Sequence, residues 1–180
     1  MRNHLMLDLE TLDTSPGAAV LSLGAVAFDK EGIKDKTLWV FNLEENISKR
    51  RVNADTLLWW LSQGDSAKAV FEKAKFGSLI KPTLDSFLTF YKKNNVQQGT
   101  CVWSNGAGFD VPILENLLLG NGYTIPWKFW DIRCYRTVKM AHKIEAGRKR
   151  TGIKHDALDD AVFQAECLKA FFEVAPEYDV

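Results

Sequence analysis

The sequence Leu5-Met6-Leu7-Asp8-Leu9-Glu10-Thr11, close to the start of the chain, is its most informative segment. The apolar residues are typical of a buried strand that ends in two acids. Because residues two apart on a strand point to the same face, Asp8 and Glu10 are predicted to lie side by side. Two such carboxylates repel each other and lose hydration unless a cation or protons neutralise them. The segment alone is consistent with a metal site, or with a strand that ends with Glu10 in solvent.

The composition is that of an ordinary globular protein. The 180 residues are 46% hydrophobic and 26% charged, and the net charge is zero. Binding of a polyanion would therefore depend on local basic patches. The three cysteines, Cys101, Cys134 and Cys167, have neither zinc-site spacing nor a disulfide framework, which favours a reducing cytoplasm. No apolar run is long enough for a membrane helix and the N-terminus has no room for a signal peptide, so we expect a cytoplasmic protein.

The pattern of the chain predicts an α/β fold with one central five-stranded mixed sheet flanked by helices. Three antiparallel strands come first, at 5–11, 18–28 and 36–43, and two later strands follow at 101–104 and 125–130. Helical periodicity predicts helices from Asn53 or Asp55 to Gly64, and at 67–76, 83–94, 109–119, 134–146 and 156–173. We expect one domain over 1–180, with a frayed tail from Pro176 to Val180.

Further acids follow later predicted elements. Asp110 begins a helix after a turn that contains Gly106 and Gly108, so it is either a site residue or a helix N-cap. Asp131 ends a predicted strand, where an acid that makes a turn is the usual interpretation. Asp159 and Asp160 lie in the first turn of the last helix, where acids are favoured by the helix dipole.

His155 is the most informative of the three histidines because it stands five residues before Asp160. Within one helix the two side chains would lie about 140° apart. They converge more easily if His155 belongs to a loop and Asp160 to the helix. His4 and His142 have no comparable neighbours and are predicted to be surface residues.

Several catalytic classes are excluded by missing motifs. The chain has no Gly-x-Ser-x-Gly elbow, no phosphate-binding loop with Gly-Lys-Ser/Thr, and no dinucleotide-binding fingerprint. Carboxylates without cysteine or histidine clusters favour Mg²⁺ or Mn²⁺ over zinc.

Three motifs resemble those of the DEDDh 3′–5′ exonucleases of the DnaQ-like, ribonuclease H-like superfamily. They are Asp8-Leu9-Glu10-Thr11, Asn105-Gly106-Ala107-Gly108-Phe109-Asp110 and His155-Asp156-Ala157-Leu158-Asp159-Asp160. The segments Leu12-Asp13-Thr14 and Trp59-Trp60-Leu61-Ser62-Gln63 are most similar to the group that includes the phage exonuclease DexA and the Rv2179c-like exoribonucleases. Proofreading subunits usually carry Thr/Ser-Gly after the first motif, and the departure here argues against a role as a polymerase subunit.

The resemblance implies a ribonuclease H-like fold and two divalent cations, Mg²⁺ or Mn²⁺, which clamp the attacking and leaving oxygens of a phosphodiester. It implies that Asp8, Glu10, Asp110 and Asp160 bind the ions, and that His155 is the general base. Asp159 is the alternative to Asp160, and the spacing from His155 favours Asp160.

Substrate contacts are predicted from the same resemblance. The backbone at Thr11 and Leu12 would meet the terminal 3′-hydroxyl, and Asn105 would reach the penultimate phosphate unless it is only a turn residue. Phe109 either stacks near the last base or packs in the core. Trp60 is expected in the core and Trp59 in the cleft.

A basic segment precedes His155. It carries Lys139, His142, Lys143, Arg148, Lys149, Arg150 and Lys154 against one acid, Glu145. A charge run is usually a solvated face, but its position beside the predicted catalytic loop favours phosphate contact, with Arg150 as the expected contact.

The sequence therefore predicts a metal-dependent 3′–5′ exonuclease that releases 5′-mononucleotides from single-stranded DNA or RNA ends. The alternatives are a ribonuclease H-like endonuclease and a non-catalytic nucleic-acid-binding protein. The expected partner is a nucleic acid and not a membrane, and a homodimer through an exposed aromatic helix is a further possibility.

Overall fold

The computed structural model describes residues 3–94 and 99–179, and within them five strands form one mixed sheet in the order β3-β2-β1-β4-β5. The strands are β1 (His4–Thr11), β2 (Val20–Asp29), β3 (Gly32–Val40), β4 (Cys101–Ser104) and β5 (Ile132–Cys134). β2 is antiparallel to both β1 and β3, whereas β4 is parallel to β1 and β5 is parallel to β4. The predicted mixed sheet, antiparallel first and parallel later, is confirmed.

Helices cover both faces of this sheet. They are α1 (Leu43–Lys49), α2 (Ala54–Leu61), α3 (Asp65–Lys75), α4 (Ile80–Asn94), α5 (Asp110–Gly120), α6 (Tyr135–His142) and α7 (Ala157–Val174), with short 3₁₀ turns at Phe129–Asp131 and Pro176–Tyr178. In the described part of the chain, no helix combines the length and the apolar character needed to cross a membrane.

Alternation along β1 sends its side chains to two different layers. Leu5, Leu7 and Leu9 pack into a core with residues of α4 and α5. The other face lies under α7, where His4 stacks on Phe172 and Asp8 accepts a hydrogen bond from Gln164. α7 therefore begins over the acidic end of β1 and ends over His4.

Gly24 allows α7 to begin this close to the sheet. It pairs with Asp8 across β1 and β2. A Cβ atom at this position would lie 2.2 Å from the carbonyl oxygen of Ala157, the first residue of α7. Since backbone cannot give way as a flexible side chain does, only glycine fits between β2 and the helix.

Several sequence predictions about elements are wrong. The fifth strand lies at Ile132–Cys134 and not at 125–130, because Trp127 packs in the core and Phe129 and Trp130 form an exposed 3₁₀ turn. The short helix α1 was not predicted.

His4 is buried rather than on the surface, because Trp103 and Asp179 supply partners for its ring nitrogens. Pro176–Tyr178 form a 3₁₀ turn that contacts α7, and Asp179 lies 2.8 Å from the His4 ring nitrogen, so these residues are not frayed. Val180, the remaining residue of the predicted tail, lies outside the described residues.

Candidate active site

A cavity of about 690 Å³ lies beside the carboxyl end of β1. All the predicted site residues except Leu12 line it: Asp8, Glu10, Thr11, Trp59, Asn105, Phe109, Asp110, Arg150, His155 and Asp160. Residues from both ends of the chain therefore meet at one place, which is the arrangement that the three motifs predicted.

Asp110 is held against β1 by hydrogen bonds to its carboxylate. The backbone N–H of Leu9 donates to Oδ1 at 3.1 Å, and the Gly106 N–H also stabilises the ionised carboxylate. The Asp110 carboxylate thus reaches across to the neighbouring strand instead of acting as a helix N-cap. Asp110 is the first residue of α5, so the turn at Gly106 that precedes the helix determines where this carboxylate points.

Asp160 and His155 approach the acids from the start of α7. The Asp156 side chain caps this helix by accepting from the N–H groups of Leu158 and Asp159. His155 precedes the cap with φ of 65°, a left-handed conformation that is unusual for a residue with a side chain. Its N–H donates to Asp160 Oδ2 at 3.3 Å, which joins the loop to the helix.

Glu10, His155 and Asp160 each offer a ligand atom within 4.8 Å of the other two. Asp159, the alternative to Asp160, points elsewhere and accepts from the Ile153 N–H at 2.7 Å. The structure therefore brings Asp160, and not Asp159, to the cavity, and gives Asp159 the task of fixing the loop before His155.

Burial and mutual repulsion make the acidic cluster expensive in its ionised form. Burial raises the pKa of Glu10 to about 8 and that of Asp110 to about 6, and the neighbouring Asp110 adds to the shift at Glu10. The pKa of Asp8 is raised well above its ordinary value by burial and by the charges of Asp110 and Glu10. Most hydrogen bonds to these acids come from neutral donors, which orient the carboxylates without neutralising them.

These residues fit a hard divalent cation. Four buried carboxylates converge on one cavity, and oxygen ligands of this kind suit Mg²⁺ or Mn²⁺. A cation would remove the repulsion that raises the pKa values of Asp8 and Glu10. Arg150 already pairs with the Asp160 carboxylate, so the protein itself supplies positive charge at one edge of the cluster.

His155 has the surroundings of a neutral imidazole. Burial and the nearby charges of Lys154 and Arg150 lower its pKa below the ordinary value of 6.5. Its ring centroid lies 4.9 Å from that of Trp59 in an edge-to-face arrangement. A histidine that is uncharged near neutral pH can accept a proton from a neighbouring water.

Two adjacent tryptophans occupy different environments, as expected. Trp60 is 1% exposed and donates through Nε1 to the Thr11 carbonyl at 2.9 Å, which holds the end of β1. Trp59 is 42% exposed and lines the cavity. One supports the site from the core and the other presents an aromatic face to it.

Leu12 is the exception among the predicted contacts. Its side chain is buried in the cluster around Trp60, its N–H donates to the Ala19 carbonyl, and its carbonyl accepts from Asn53. These backbone groups already have partners within the protein, and the contact of Leu12 with the substrate sugar stays a prediction.

The basic segment divides between the cavity and other surfaces. Lys139, Arg150 and Lys154 line the cavity. His142 instead packs on Phe171 and Tyr178, on the side of α7 away from the acids. The segment is therefore not one continuous phosphate-binding face.

Sequence reasoning missed several of the lining residues, among them Gln164 and Arg136. Gln164 donates to Asp8 Oδ1 at 3.0 Å, and its position four residues after Asp160 on a helix was a usable signal. Arg136 also lines the cavity. It lies outside the basic segment defined from the sequence, although the helix predicted at 134–146 already placed it in the first turn of α6.

Comparison with known proteins agrees with this geometry. The family model of the 3′–5′ exoribonuclease Rv2179c-like domain matches residues 3–172. An exodeoxyribonuclease of enterobacteria phage T4 is 26% identical over 162 residues, which cover 73% of this chain and 68% of the phage protein.

Two solved structures show a similar fold. The nuclease domain of 3′hExo, a DEDDh family member bound to rAMP, has a TM-score of 0.66 at 12% identity, over 96% of this chain and 92% of the domain. Exonuclease I of E. coli in complex with a dT13 oligonucleotide has a TM-score of 0.68 at 14% identity, over 99% of this chain. The chain spans 42% of that exonuclease. The predicted ribonuclease H-like exonuclease fold is confirmed.

Proposed function

This chain belongs to the family of the Rv2179c-like 3′–5′ exoribonuclease domain, and we propose that it removes nucleotides one at a time from the 3′ end of single-stranded nucleic acid. The observation that carries the proposal is the convergence of four buried carboxylates and His155 on one cavity. Acids that are costly to ionise without a cation, beside a histidine with a lowered pKa, suit hydrolysis of a phosphodiester.

Asp8, Glu10, Asp110 and Asp160 would hold two divalent cations, Mg²⁺ or Mn²⁺. When bound, these ions supply Lewis-acid stabilisation of the charge that develops on the phosphoryl oxygens. The hydrogen bonds from Leu9 and Gln164 keep the Asp110 and Asp8 carboxylates in a fixed direction before any cation arrives. Such preorganisation avoids rearrangement during the reaction.

His155 would accept a proton from the attacking water. The water oxygen then forms a bond to phosphorus as the bond from phosphorus to the 3′-oxygen of the preceding nucleotide breaks. The products are a 5′-mononucleotide and a shortened strand, whose 3′-oxygen takes a proton from solvent. The loop that holds His155 is fixed to α7 through Asp160 and Asp159, so the base stays beside the acids.

Trp59 and Phe109 line the cavity and offer aromatic faces for the terminal base. Thr11 and Asn105 lie at the ends of β1 and β4, where they can contact the terminal sugar and the next phosphate. Arg150 would contact a phosphate oxygen.

The substrate sugar is part of the test, because the family is described as exoribonucleases and the phage relative as an exodeoxyribonuclease. We would digest 5′-labelled single- and double-stranded 20-mers of DNA and RNA with Mg²⁺, Mn²⁺ or EDTA. A ladder that shortens from the 3′ end in single strands, with no products in EDTA, is expected. A terminal 3′-phosphate should block digestion.

Internal cleavage that ignores a 3′-phosphate would instead identify an endonuclease. Metal-dependent binding without cleavage in every condition would identify a non-catalytic binding protein. The homodimer and the cytoplasmic location stay predictions.

A further inference from the structure

We propose that Arg136 binds the phosphate immediately upstream of the scissile one, the phosphate that joins the second and third nucleotides from the 3′ end. This inference rests on the proposed exonuclease function and adds a specific binding residue to it. Arg136 is the second residue of α6, which begins where β5 ends. Its side chain lines the same cavity as the acids.

The guanidinium of Arg136 lies over the turn that follows β4. A Cβ atom placed on Gly106 would be 3.4 Å from Arg136 Nη2, so the two groups are neighbours. Asn105 precedes this glycine and also lines the cavity. Its side-chain Oδ1 is buried without a hydrogen-bond partner among the residues described. An arginine and an unsatisfied amide thus border the same small region.

Arg136 has charge available for a ligand. Within the described residues, none of the ion pairs found at 4.0 Å or less involves Arg136, whereas Arg51 pairs with Asp13 and Arg150 with Asp160. Lys139, one turn further along α6, forms an ion pair in which its Nζ lies 3.5 Å from Glu145 Oε1. A planar guanidinium without a carboxylate partner matches two oxygens of a phosphate.

The order of the sheet gives the direction of the strand. β4 lies between β1, which carries Asp8 and Glu10, and β5, which leads into α6. Arg136 is therefore on one side of the acids. The opposite wall comes from α2, which contributes Asp55, Thr56 and Trp59 to the cavity. The Trp59 ring can stack on a base, and the Asp55 carboxylate repels a phosphate. The terminal nucleoside therefore belongs on the α2 side and the upstream phosphate on the Arg136 side.

The test compares two substrates that differ in this phosphate. Thymidine 5′-monophosphate p-nitrophenyl ester has a scissile phosphodiester and no upstream phosphate, whereas the oligonucleotide dT8 has both. If the wild-type protein hydrolyses only ribonucleotides, the uridine ester and U8 replace them. Arg136→Gln should lower kcat/KM on the oligonucleotide about 10- to 100-fold and leave the ester within about twofold.

Arg133→Gln is the matched control. Arg133 is three residues earlier on β5 and donates to the Trp130 and Ile132 carbonyls instead of lining the cavity. It should leave both substrates unchanged. Equal losses on both substrates for Arg136→Gln would overturn the inference, as would no loss on either.

A binding measurement separates this inference from the proposed function. Fluorescence anisotropy in EDTA would compare labelled dT8 with the same strand carrying a neutral methylphosphonate at the second linkage from the 3′ end. The wild type should bind the neutral strand more weakly, and Arg136→Gln should bind both strands alike. For dT8, the variant should also reduce the slope of log K against log salt by about 0.7. If the wild type hydrolyses neither substrate, the proposed function fails, and the binding result alone supports or overturns the role of Arg136.

Discussion

The two ends of β1 both bury ionisable side chains under α7, and they treat them in opposite ways. At one end His4 is 1% exposed, and both ring nitrogens are matched. Nδ1 accepts from Trp103 Nε1 at 3.0 Å, and Nε2 lies 2.8 Å from Asp179 Oδ1. Because an indole N–H can only donate, Nδ1 is unprotonated and Nε2 carries the proton. His4 is thus satisfied within the protein.

At the other end, three carboxylates share a buried space, where burial raises the pKa of each and neighbouring acids add to the shift at Asp8 and Glu10. Asp8, Glu10 and Asp110 receive hydrogen bonds or nearby positive charge, but not enough to stabilise three ionised groups. A buried polar group whose partners are all internal stabilises the architecture. A buried cluster of acids with too little positive charge around it would be stabilised by an external cation.

The largest expected effect comes from Asp8→Asn, which removes a carboxylate from the acidic end of β1. Loss of this proposed metal ligand should lower kcat/KM about 1,000-fold or more. Relief of repulsion should raise the Tm of the metal-free protein at pH 8 by about 2–4 °C. Single-strand digestion and thermal unfolding in EDTA measure the two effects. Glu44→Gln, at an exposed acid, is the control. Full activity in Asp8→Asn would contradict the site assignment.

Gly24→Ala tests the contact that brings the two ends under one helix. The new methyl group would meet the Ala157 backbone at 2.2 Å and displace the start of α7. Because an error of about 1 Å in a catalytic group can cost about 100-fold, we expect a loss of that size in kcat/KM, together with a lower Tm. Gly120→Ala, where nothing lies within 4 Å, provides the comparison. Equal behaviour of the two variants would refute the tight contact.

His4→Phe should damage stability and spare activity, which is the reverse of Asp8→Asn. Phenylalanine keeps the stacking on Phe28 and Phe172 and loses the hydrogen bond from the Trp103 indole. An unsatisfied buried donor costs about 1–3 kcal/mol in the free energy of unfolding. Urea denaturation measures the loss, and kcat should change less than about twofold. His142→Phe, at an exposed histidine, is the matched control.

The pH dependence of the metal-free protein gives the smallest effect for each step of one pH unit. Burial raises the pKa of Glu10 from 4.5 to about 8. Between these values the folded protein holds a proton that the unfolded chain has lost, so stability falls as pH rises. One proton gives a slope of at most about 1.4 kcal/mol per pH unit. Urea denaturation in EDTA from pH 5 to 8 should show the decline, and Glu10→Gln should make it shallower, because the raised pKa values of Asp8 and Asp110 still contribute. A free energy of unfolding that rises with pH over this range would contradict a raised pKa for Glu10.

The sequence predicted most of the acidic end of β1 and little of the end that holds His4. Asp8, Glu10, Asp110, His155 and Asp160 belong to short local motifs, and each motif follows a strand or precedes a helix that periodicity also predicts. His4 depends on Trp103 and on Asp179, 175 residues away. No local pattern reports a partner at that distance, so a surface position was predicted for a buried residue.

The misplaced fifth strand shows a second limit. The aromatic segment around Trp127 has the composition of a strand, yet the Trp127 indole donates to Glu115 in the core while Trp130 stays exposed. The true strand is three residues long and pairs only with Val102–Ser104. So short a strand is determined by its neighbour in the sheet rather than by its own side chains.

The hydrogen bond between Gln164 and Asp8 joins residues 156 positions apart. During synthesis on the ribosome, β1 is made first and α7 among the last elements. A nascent chain that already exposes Asp8 and Glu10 still lacks His155, Asp160 and the helix that carries Gln164. The complete set of acids and base therefore forms only after α7 has emerged and packed, so a partly translated chain lacks the complete site.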